Sequence, residues 1–160
     1  MSKAKKSKRF QYPLETLLKV REIREKQEQE KFQKAEEKVA EELKKEEELK
    51  NIQTQAYLEL QEIMVGDNIP DMNIIQLRKH QLEDLKEKVA EQVQARENAE
   101  KERDEQRENL NKAIKERKII EKDKDKTKEK WCKIMDKEDA KFMDDIAGIN
   151  YSKKLRESQE

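Results

Sequence analysis

Glycine and proline are nearly missing from this sequence, which holds two of each among 160 residues. Sheets and compact bundles need frequent chain reversals, and these two residues are the strongest formers of tight turns. Aromatic residues are also scarce, at 4% of the chain. Apolar residues reach 32%, below the roughly 45–50% of typical domains. The composition therefore excludes sandwiches, barrels and α/β folds, and it predicts that the chain has no sizeable core.

Cysteine and histidine each occur once, as Cys132 and His80. A single cysteine cannot form an internal disulfide, which fits a reducing compartment. One histidine and one distant cysteine can build neither a nucleophile pair nor a metal cage within one chain. No glycine-rich loop is present to hold a phosphate. We therefore expect no catalytic residues, no metal and no cofactor, and predict that the protein is not an enzyme.

Net charge of one sign and long apolar runs are absent as well. Thirty-eight Lys and Arg balance thirty-eight Asp and Glu, which gives no case for a protein that packages a polyanion. No run approaches the roughly 18 apolar residues of a membrane span. The N-terminal MSKAKKSKRF lacks the apolar stretch of a secretory signal. The sequence predicts a cytoplasmic protein that does not insert into a membrane.

The N-terminus forms a short basic arm that contains Lys3, Lys5, Lys6, Lys8 and Arg9. Such an arm can attract phosphate or an acidic protein face. Without a stacking platform or a recognition fold, steering toward an acidic partner is the favoured role, and we predict no nucleic-acid partner. A nucleic-acid tether stays open as an alternative.

The few helix breakers divide the sequence at Pro13, Gly66, Pro70 and Gly148. The stretches between them consist mainly of Glu, Lys, Gln, Arg, Leu and Ala, the strongest helix formers. Breaker-free tracts much longer than about 25 residues are typical of coiled coils. We predict a flexible basic arm (1–12), helix 1 (13–65), a turn (66–72), helix 2 (73–147) and a polar C-terminal tail (148–160).

The segment around Gly66 and Pro70 is the only credible reversal of the chain. A reversal near residue 68 places residue i of the first helix beside residue 136 − i of the second. Apolar residues three and four apart form a narrow stripe on each helix, in which Arg96, Arg103 and Arg117 also fall. We therefore predict an all-α fold of two very long helices in an antiparallel coiled-coil hairpin, with about 25 residues of the second helix overhanging the first.

Two apolar clusters stand out as candidate binding surfaces. The overhang carries Trp131, Ile134, Met135, Phe142, Met143, Ile146 and Ile149. Exposed apolar residues with a tryptophan anchor are typical of partner binding, although a tail that doubles back or a pairing of two copies remain alternatives. The second cluster surrounds the turn and includes Tyr57, Ile63, Met64, Ile69, Met72 and Leu77. This second cluster could either pack the tip of the hairpin or form a second contact surface, and the sequence leaves both alternatives open.

Both terminal regions of the sequence resemble a known family. The opening Phe10-Gln11-Tyr12-Pro13-Leu14-Glu15-Thr16-Leu17-Leu18-Lys19-Val20-Arg21-Glu22 resembles the start of FliJ, a flagellar export chaperone, and of its injectisome counterpart YscO. The far end looks like the acidic, Trp-containing segment of the injectisome branch, in Lys128-Glu129-Lys130-Trp131, Lys137-Glu138-Asp139 and Phe142-Met143-Asp144-Asp145-Ile146-Ala147. The sequence between them would match any coiled coil.

The resemblance implies a stalk of a type III secretion system, similar to the stalk of rotary ATPases. It further implies a cytoplasmic location at the base of the apparatus, a hexameric secretion ATPase as partner, contact with the export gate and a role in escorting secretion chaperones. The ATPase-facing residues implied are Leu14, Leu17, Leu18, Arg21, Trp131, Met135, Phe142 and Ile146. The gate-facing residues, chosen by location only, are Tyr57, Leu60, Leu77 and Leu82. The alternative is a structural coiled-coil spacer, or a homodimer of straight helices with no reversal at Gly66.

Overall fold

The chain forms two α-helices in the computed structural model, which describes residues 9–159. Helix α1 is Glu15–Val65 and helix α2 is Met72–Glu157, and this part of the chain contains no β-strand. The helices pack against each other, so the predicted all-α hairpin is confirmed and the straight-helix alternative is wrong. Lys3, Lys5, Lys6 and Lys8 of the predicted basic arm lie outside the described residues.

Helix α1 begins at Glu15 rather than at Pro13. Pro13 and Leu14 form a turn instead, in which the Glu15 N–H donates a hydrogen bond to the Tyr12 carbonyl at 3.2 Å. The Glu15 carboxylate lies in the first helical turn, where it interacts favourably with the positive end of the helix dipole.

Asp71 caps the start of α2. Its side-chain carboxylate accepts a hydrogen bond from the Asn73 N–H at 2.9 Å, and its carbonyl accepts one from the Ile75 N–H at 3.1 Å. An aspartate in this position satisfies backbone donors that the first turn of a helix leaves unpaired. The reversal between the helices is thus fixed by Asp71 together with Pro70, which cannot continue α1.

Helix α2 continues through Gly148 to Glu157, so the predicted helix end at residue 147 and the separate tail are wrong. A glycine inside a helix costs about 1 kcal/mol relative to alanine, which the helix formers on both sides offset. Ser152 donates a side-chain hydrogen bond to the Gly148 carbonyl at 3.0 Å. Lys154 and Arg156 lie in the last turn, where cations favour the negative end of the dipole.

Gly148→Ala is expected to stabilise this last part of α2, because a Cβ added at Gly148 meets no atom within 4 Å. A gain of about 1 kcal/mol would slow amide hydrogen exchange between residues 149 and 157 about fivefold. Gly66→Ala is the matched control: Gly66 lies outside α2, and we expect no change in that exchange. An unchanged exchange rate in Gly148→Ala would contradict the helical assignment of the segment.

Contacts divide the described chain into two units, each of which takes a piece of both helices. The turn unit is Arg24–Ala113, and the terminal unit consists of residues 9–23 and 114–159. The buried apolar side chains of the turn unit are Val39, Leu60, Ile75, Ala99 and Ala113. Two of these are alanines, so the core of this unit is thin, in line with the low apolar content of the sequence.

Two glutamines set the register of the helices in the turn unit. The Gln92 amide donates to the Glu42 carboxylate and to the Glu42 carbonyl, the latter at 3.0 Å. Gln106 makes the same pair of bonds to Glu28. The residue numbers of each pair add up to 134, close to the 136 that the sequence predicted. The same polar clamp therefore recurs four helical turns apart along the interface.

A buried charge cluster interrupts the apolar seam of the turn unit. Glu46 is 6% exposed and accepts hydrogen bonds from Arg96 and from Lys50, the latter at 2.6 Å. These bonds, with Lys50 contributing most, hold the pKa of Glu46 below its ordinary value. Arg96 also bonds Glu100 at 2.9 Å, so its head group lies within the seam rather than reaching outward. A charge pair inside a helix interface is satisfied in one register only, which disfavours slippage.

Candidate functional site

The terminal unit joins the segment before α1 to the second half of α2. Tyr12 is buried there, and its hydroxyl donates a hydrogen bond to the Asp123 carboxylate. This bond, together with burial, raises the pKa of Tyr12 to about 12. The Tyr-Pro opening therefore anchors the chain to α2 before α1 has begun.

Tyr12 is expected to ionise near pH 12 in the folded protein, against about 10 in an unfolded chain. Its folded pKa is raised, so the stability that it contributes is fully present below pH 10 and is lost as the pH rises through 12. An ultraviolet titration of the native chain minus that of Tyr12→Phe isolates this phenol. A difference curve centred near pH 10 would contradict the bond to Asp123.

Ion pairs hold the first turns of α1 against α2. Lys124 Nζ lies 2.8 Å from Glu15 Oε2, and the Arg21 guanidinium lies 2.5 Å from Glu116 Oε2. The Nε of Arg21 is buried and finds no hydrogen-bond acceptor among residues 9–159. Arg21 therefore forms an ion pair between the helices and also carries one buried N–H donor, at Nε, without a hydrogen-bond acceptor.

Phe10 packs against Trp131 in the same unit. Their ring centroids are 5.7 Å apart and their planes are inclined by 56°. Aromatic pairs prefer tilted arrangements of this kind over face-to-face stacking. The sequence analysis placed Trp131 on the part of helix 2 that overhangs helix 1, which implies that it has no partner within the monomer, and this is wrong. Phe10 precedes α1 and was not assigned a contact from the sequence, because a residue outside the helical repeat carries no register.

An apolar stripe continues along α2 from this aromatic pair. We call it the terminal stripe, and it consists of Trp131, Met135, Phe142, Ile146 and Ile149. These residues recur at intervals of three, four and seven, which places them on one face of the helix. Trp131 and Met135 are half-buried and the other three are exposed. Because α2 runs on as a continuous helix, a tail that doubles back over this face is ruled out.

The remaining ATPase-facing candidates differ in exposure. Leu14 is 43% exposed and Leu17 is half-buried, whereas Leu18 is 4% exposed and belongs to the core of the terminal unit. Sequence spacing put Leu14, Leu17 and Leu18 together, but it did not separate the core face from its exposed neighbours. We define the terminal surface as Leu14, Leu17, Arg21 and the terminal stripe.

The gate-facing candidates lie in different environments within the turn unit. Tyr57 and Leu82 line one groove between α1 and α2, together with Gln53, Thr54, Glu83 and Lys86. Leu77 is exposed outside this groove, and Leu60 is buried in the core. We call Tyr57, Leu77 and Leu82 the turn surface. The fully exposed Ile69 next to Pro70 adds to the apolar character of the region.

Within residues 9–159 no three His, Cys, Asp or Glu side chains come together in a way that could hold a metal ion. His80 lies 3.8 Å from Asp84 on an exposed helix face, and Cys132 is exposed. Neither described helix carries an apolar stretch long enough to cross a bilayer.

A family model described as flagellar FliJ protein matches residues 10–156. The chain belongs to the FliJ family. The match begins at Phe10, which packs against Trp131, and it includes residues 148–156, which the sequence had assigned to a tail. No curated protein and no solved structure matches this FliJ-family chain. Family membership makes it a protein of flagellar and type III export.

Sequence reasoning missed part of the surface of this FliJ-family protein. Tyr151 and Leu155 are exposed apolar residues that follow Gly148 on α2, and Phe10 completes the aromatic pair. The signal for the first two was present in their spacing of four residues, which places them on one face of a helix, but Gly148 was interpreted as the end of the helix. No signal in the sequence pointed to Phe10 as the partner of Trp131.

Proposed function

We propose that this FliJ-family protein is a non-enzymatic stalk that binds a hexameric type III secretion ATPase through its terminal surface. The observation that carries the proposal is the terminal stripe, an exposed apolar face on α2 that begins at a tryptophan held by Phe10. Apolar faces of this kind mark protein contacts, and a tryptophan set among apolar neighbours is a preferred anchor.

Leu14, which directly precedes α1, and Leu17 and Arg21 on α1 extend this contact to the first helix. Ion pairs at Glu15 and Arg21 fix the first turns of α1 to α2, so both helices present their side chains to the partner together. The unsatisfied Nε–H of Arg21 can donate a hydrogen bond to a carbonyl or carboxylate of the partner. Leu18 supports this surface from the core rather than touching the ATPase.

The proposed stalk acts without chemistry of its own. Each helix is held by its own hydrogen-bond ladder, so it can transmit position along its length. A single hairpin in a six-fold pore contacts the six subunits unequally, because it has no six-fold symmetry. Unequal contact favours different subunit states, and this would stimulate hydrolysis by the ATPase.

The turn surface is proposed to contact the cytoplasmic domain of the export-gate protein. Tyr57 and Leu82 share one groove and Leu77 is exposed nearby, which gives a partner both an aromatic and aliphatic side chains to pack against. Leu60 is assigned to the core and not to this contact. Secretion chaperones escorted by the protein would use exposed apolar residues of the same kind.

We assign the protein to the injectisome, YscO-like branch, and to the cytoplasmic base of the secretion apparatus. The support is the Tyr12-Pro13-Leu14-Glu15 opening together with Trp131 in an acidic C-terminal segment. Tyr12 and Trp131 both take part in contacts that define the terminal unit, through Asp123 and Phe10. Tyr12 and Trp131 are therefore the residues at which this chain should be compared with members of the flagellar and injectisome branches.

The test is the hydrolysis rate of the purified hexameric ATPase of the same secretion system as the full chain is titrated in. We expect a saturable rise in turnover and co-purification of the two proteins. An ATPase that neither binds the chain nor changes its rate, at chain concentrations that saturate related stalks, would contradict the proposal.

A further inference from the structure

The segment from residue 51 to residue 77 differs in composition from the rest of the chain. Lys and Arg make up 38 of the 160 residues, yet none of them lies between Lys50 and Arg78. The segment keeps four acidic residues, which are Glu59, Glu62, Asp67 and Asp71. Nine of its large apolar side chains are exposed. A surface that is both acidic and apolar is complementary to a partner that is basic and apolar.

Part of this segment forms an apolar face on the far side of α1 from the core. Leu58, Glu62 and Val65 are spaced four and three residues apart, so they share one side of the helix. The buried Leu60 lies on the opposite side. Leu58 is 51% exposed and Val65 is 77% exposed, and both line one groove with Glu62. We call Leu58, Glu62 and Val65 the outer face; packing between α1 and α2 does not account for its apolar residues.

Negative charge accumulates at the same end of α1. The last turn of α1 contains no basic residue, whereas the last turn of α2 carries Lys154 and Arg156. Glu62 lies in that last turn of α1, where a carboxylate is unfavourable beside the negative end of the helix dipole. Within residues 9–159, neither Glu62 nor Asp67 forms an ion pair. A cation supplied by a partner would compensate both the carboxylate and the helix end.

We propose that the outer face binds a basic amphipathic helix of another protein. Aliphatic side chains of that helix pack between Leu58 and Val65, and a lysine or arginine beside them pairs with Glu62. A helix fits this face because its side-chain rows pack into the grooves between the rows of another helix. Asp67, which follows Gly66 in the turn, adds a second negative charge nearby.

The charge on the outer face decides between this partner and two others. Two copies of the chain that met through this face would bring their Glu62 carboxylates together, and an anionic membrane surface would repel the same groups. A basic helix gains from those charges instead. The terminal surface and the turn surface contain none of the three outer-face residues, so the proposal goes beyond the proposed function and does not depend on it.

The first test is fluorescence anisotropy of a labelled helical peptide, titrated with the full chain. The probe carries leucines on one face and lysines on the other. Two comparison peptides replace its lysines by glutamates or its leucines by serines. We expect the leucine–lysine peptide to bind, and each comparison peptide to bind at least about tenfold more weakly, because each lacks one half of the complementarity.

Substitutions in the chain locate the binding site. Leu58→Ala and Glu62→Lys are each expected to weaken binding of the leucine–lysine peptide by about tenfold. The matched controls are Leu43→Ala and Glu48→Lys, which change exposed residues of α1 outside the outer face and should keep the parent affinity. Glu62→Lys should bind the glutamate peptide more tightly than the parent chain does. Circular dichroism verifies that all four variants fold.

Three outcomes would overturn the proposal. A leucine–lysine peptide that does not bind, or that binds Leu58→Ala and Glu62→Lys as tightly as the parent chain, would show that the outer face is not its site. Dimers in sedimentation velocity that Leu58→Ala dissociates would make a second copy the occupant. Binding to vesicles of phosphatidylcholine and phosphatidylglycerol that Leu58→Ala abolishes would make the outer face a lipid contact.

Discussion

Replacing Trp131 by alanine is expected to weaken binding of the chain to the secretion ATPase by about 30-fold or more. A tryptophan at the centre of an interface contributes about 2 kcal/mol or more, which corresponds to that factor. The change also removes the ring against which Phe10 packs, so the segment before α1 loses a contact. The measurement is the chain concentration that gives half-maximal stimulation of hydrolysis by the ATPase.

Tyr57→Ala is the matched control for this experiment. Tyr57 is an exposed aromatic residue of the turn unit, so the same kind of truncation is made away from the terminal surface. We expect its half-maximal concentration to equal that of the parent chain. Equal losses in Trp131→Ala and Tyr57→Ala would mean that the contact surface has been misplaced.

Leu60→Ala is expected to lower the free energy of unfolding by about 2 kcal/mol, the low end for a buried leucine, because the core around it is thin. Leu60 is 6% exposed and lies among the buried side chains of the turn unit. For a chain of this length the loss corresponds to a drop of about 5 °C in melting temperature. Thermal unfolding followed by circular dichroism measures it.

Leu58→Ala gives the comparison for Leu60→Ala. Leu58 has the same side chain on the same helix but is 51% exposed, so its truncation should change the melting temperature by less than about 1 °C. Equal melting temperatures for the two variants would contradict the helix face assigned to the core. Neither substitution touches the terminal surface, so neither should alter the affinity for the ATPase.

The two helices and the turn could be predicted from the sequence because so few residues can break a helix. Gly66 and Pro70 lie together in the middle, and a single reversal there fixes which residues face each other. The clamps at Glu42 and Gln92 follow that register closely. Helix propensity and breaker position thus carry most of the information about this fold.

Other features depend on contacts that a linear pattern does not encode. Gly148 was predicted to end α2, but the cost of a single glycine is small beside the helix formers around it. Arg96 fell in the apolar seam, and only the structure places Glu46 within reach of it. Phe10 lies before α1, where no helical repeat assigns it a neighbour.

The distinction between core and surface leucines was likewise beyond the sequence. Leu14 and Leu18 are one helical turn apart, yet the first is exposed and the second buried. In a chain with so few apolar residues the seam is narrow. A small rotation of the helix about its axis would therefore bury Leu14 and expose Leu18. Their roles, contact for Leu14 and support for Leu18, therefore depend on the packing of α1 on α2.

In the proposed complex the terminal surface, and not the turn surface, engages the secretion ATPase. The most direct measurement is photo-crosslinking in the assembled complex, with a reactive amino acid placed at Met143 or at Leu77, both of which are exposed. We expect a crosslink to the ATPase from position 143 and none from position 77. A crosslink to the ATPase from position 77 with none from position 143 would contradict the proposed complex.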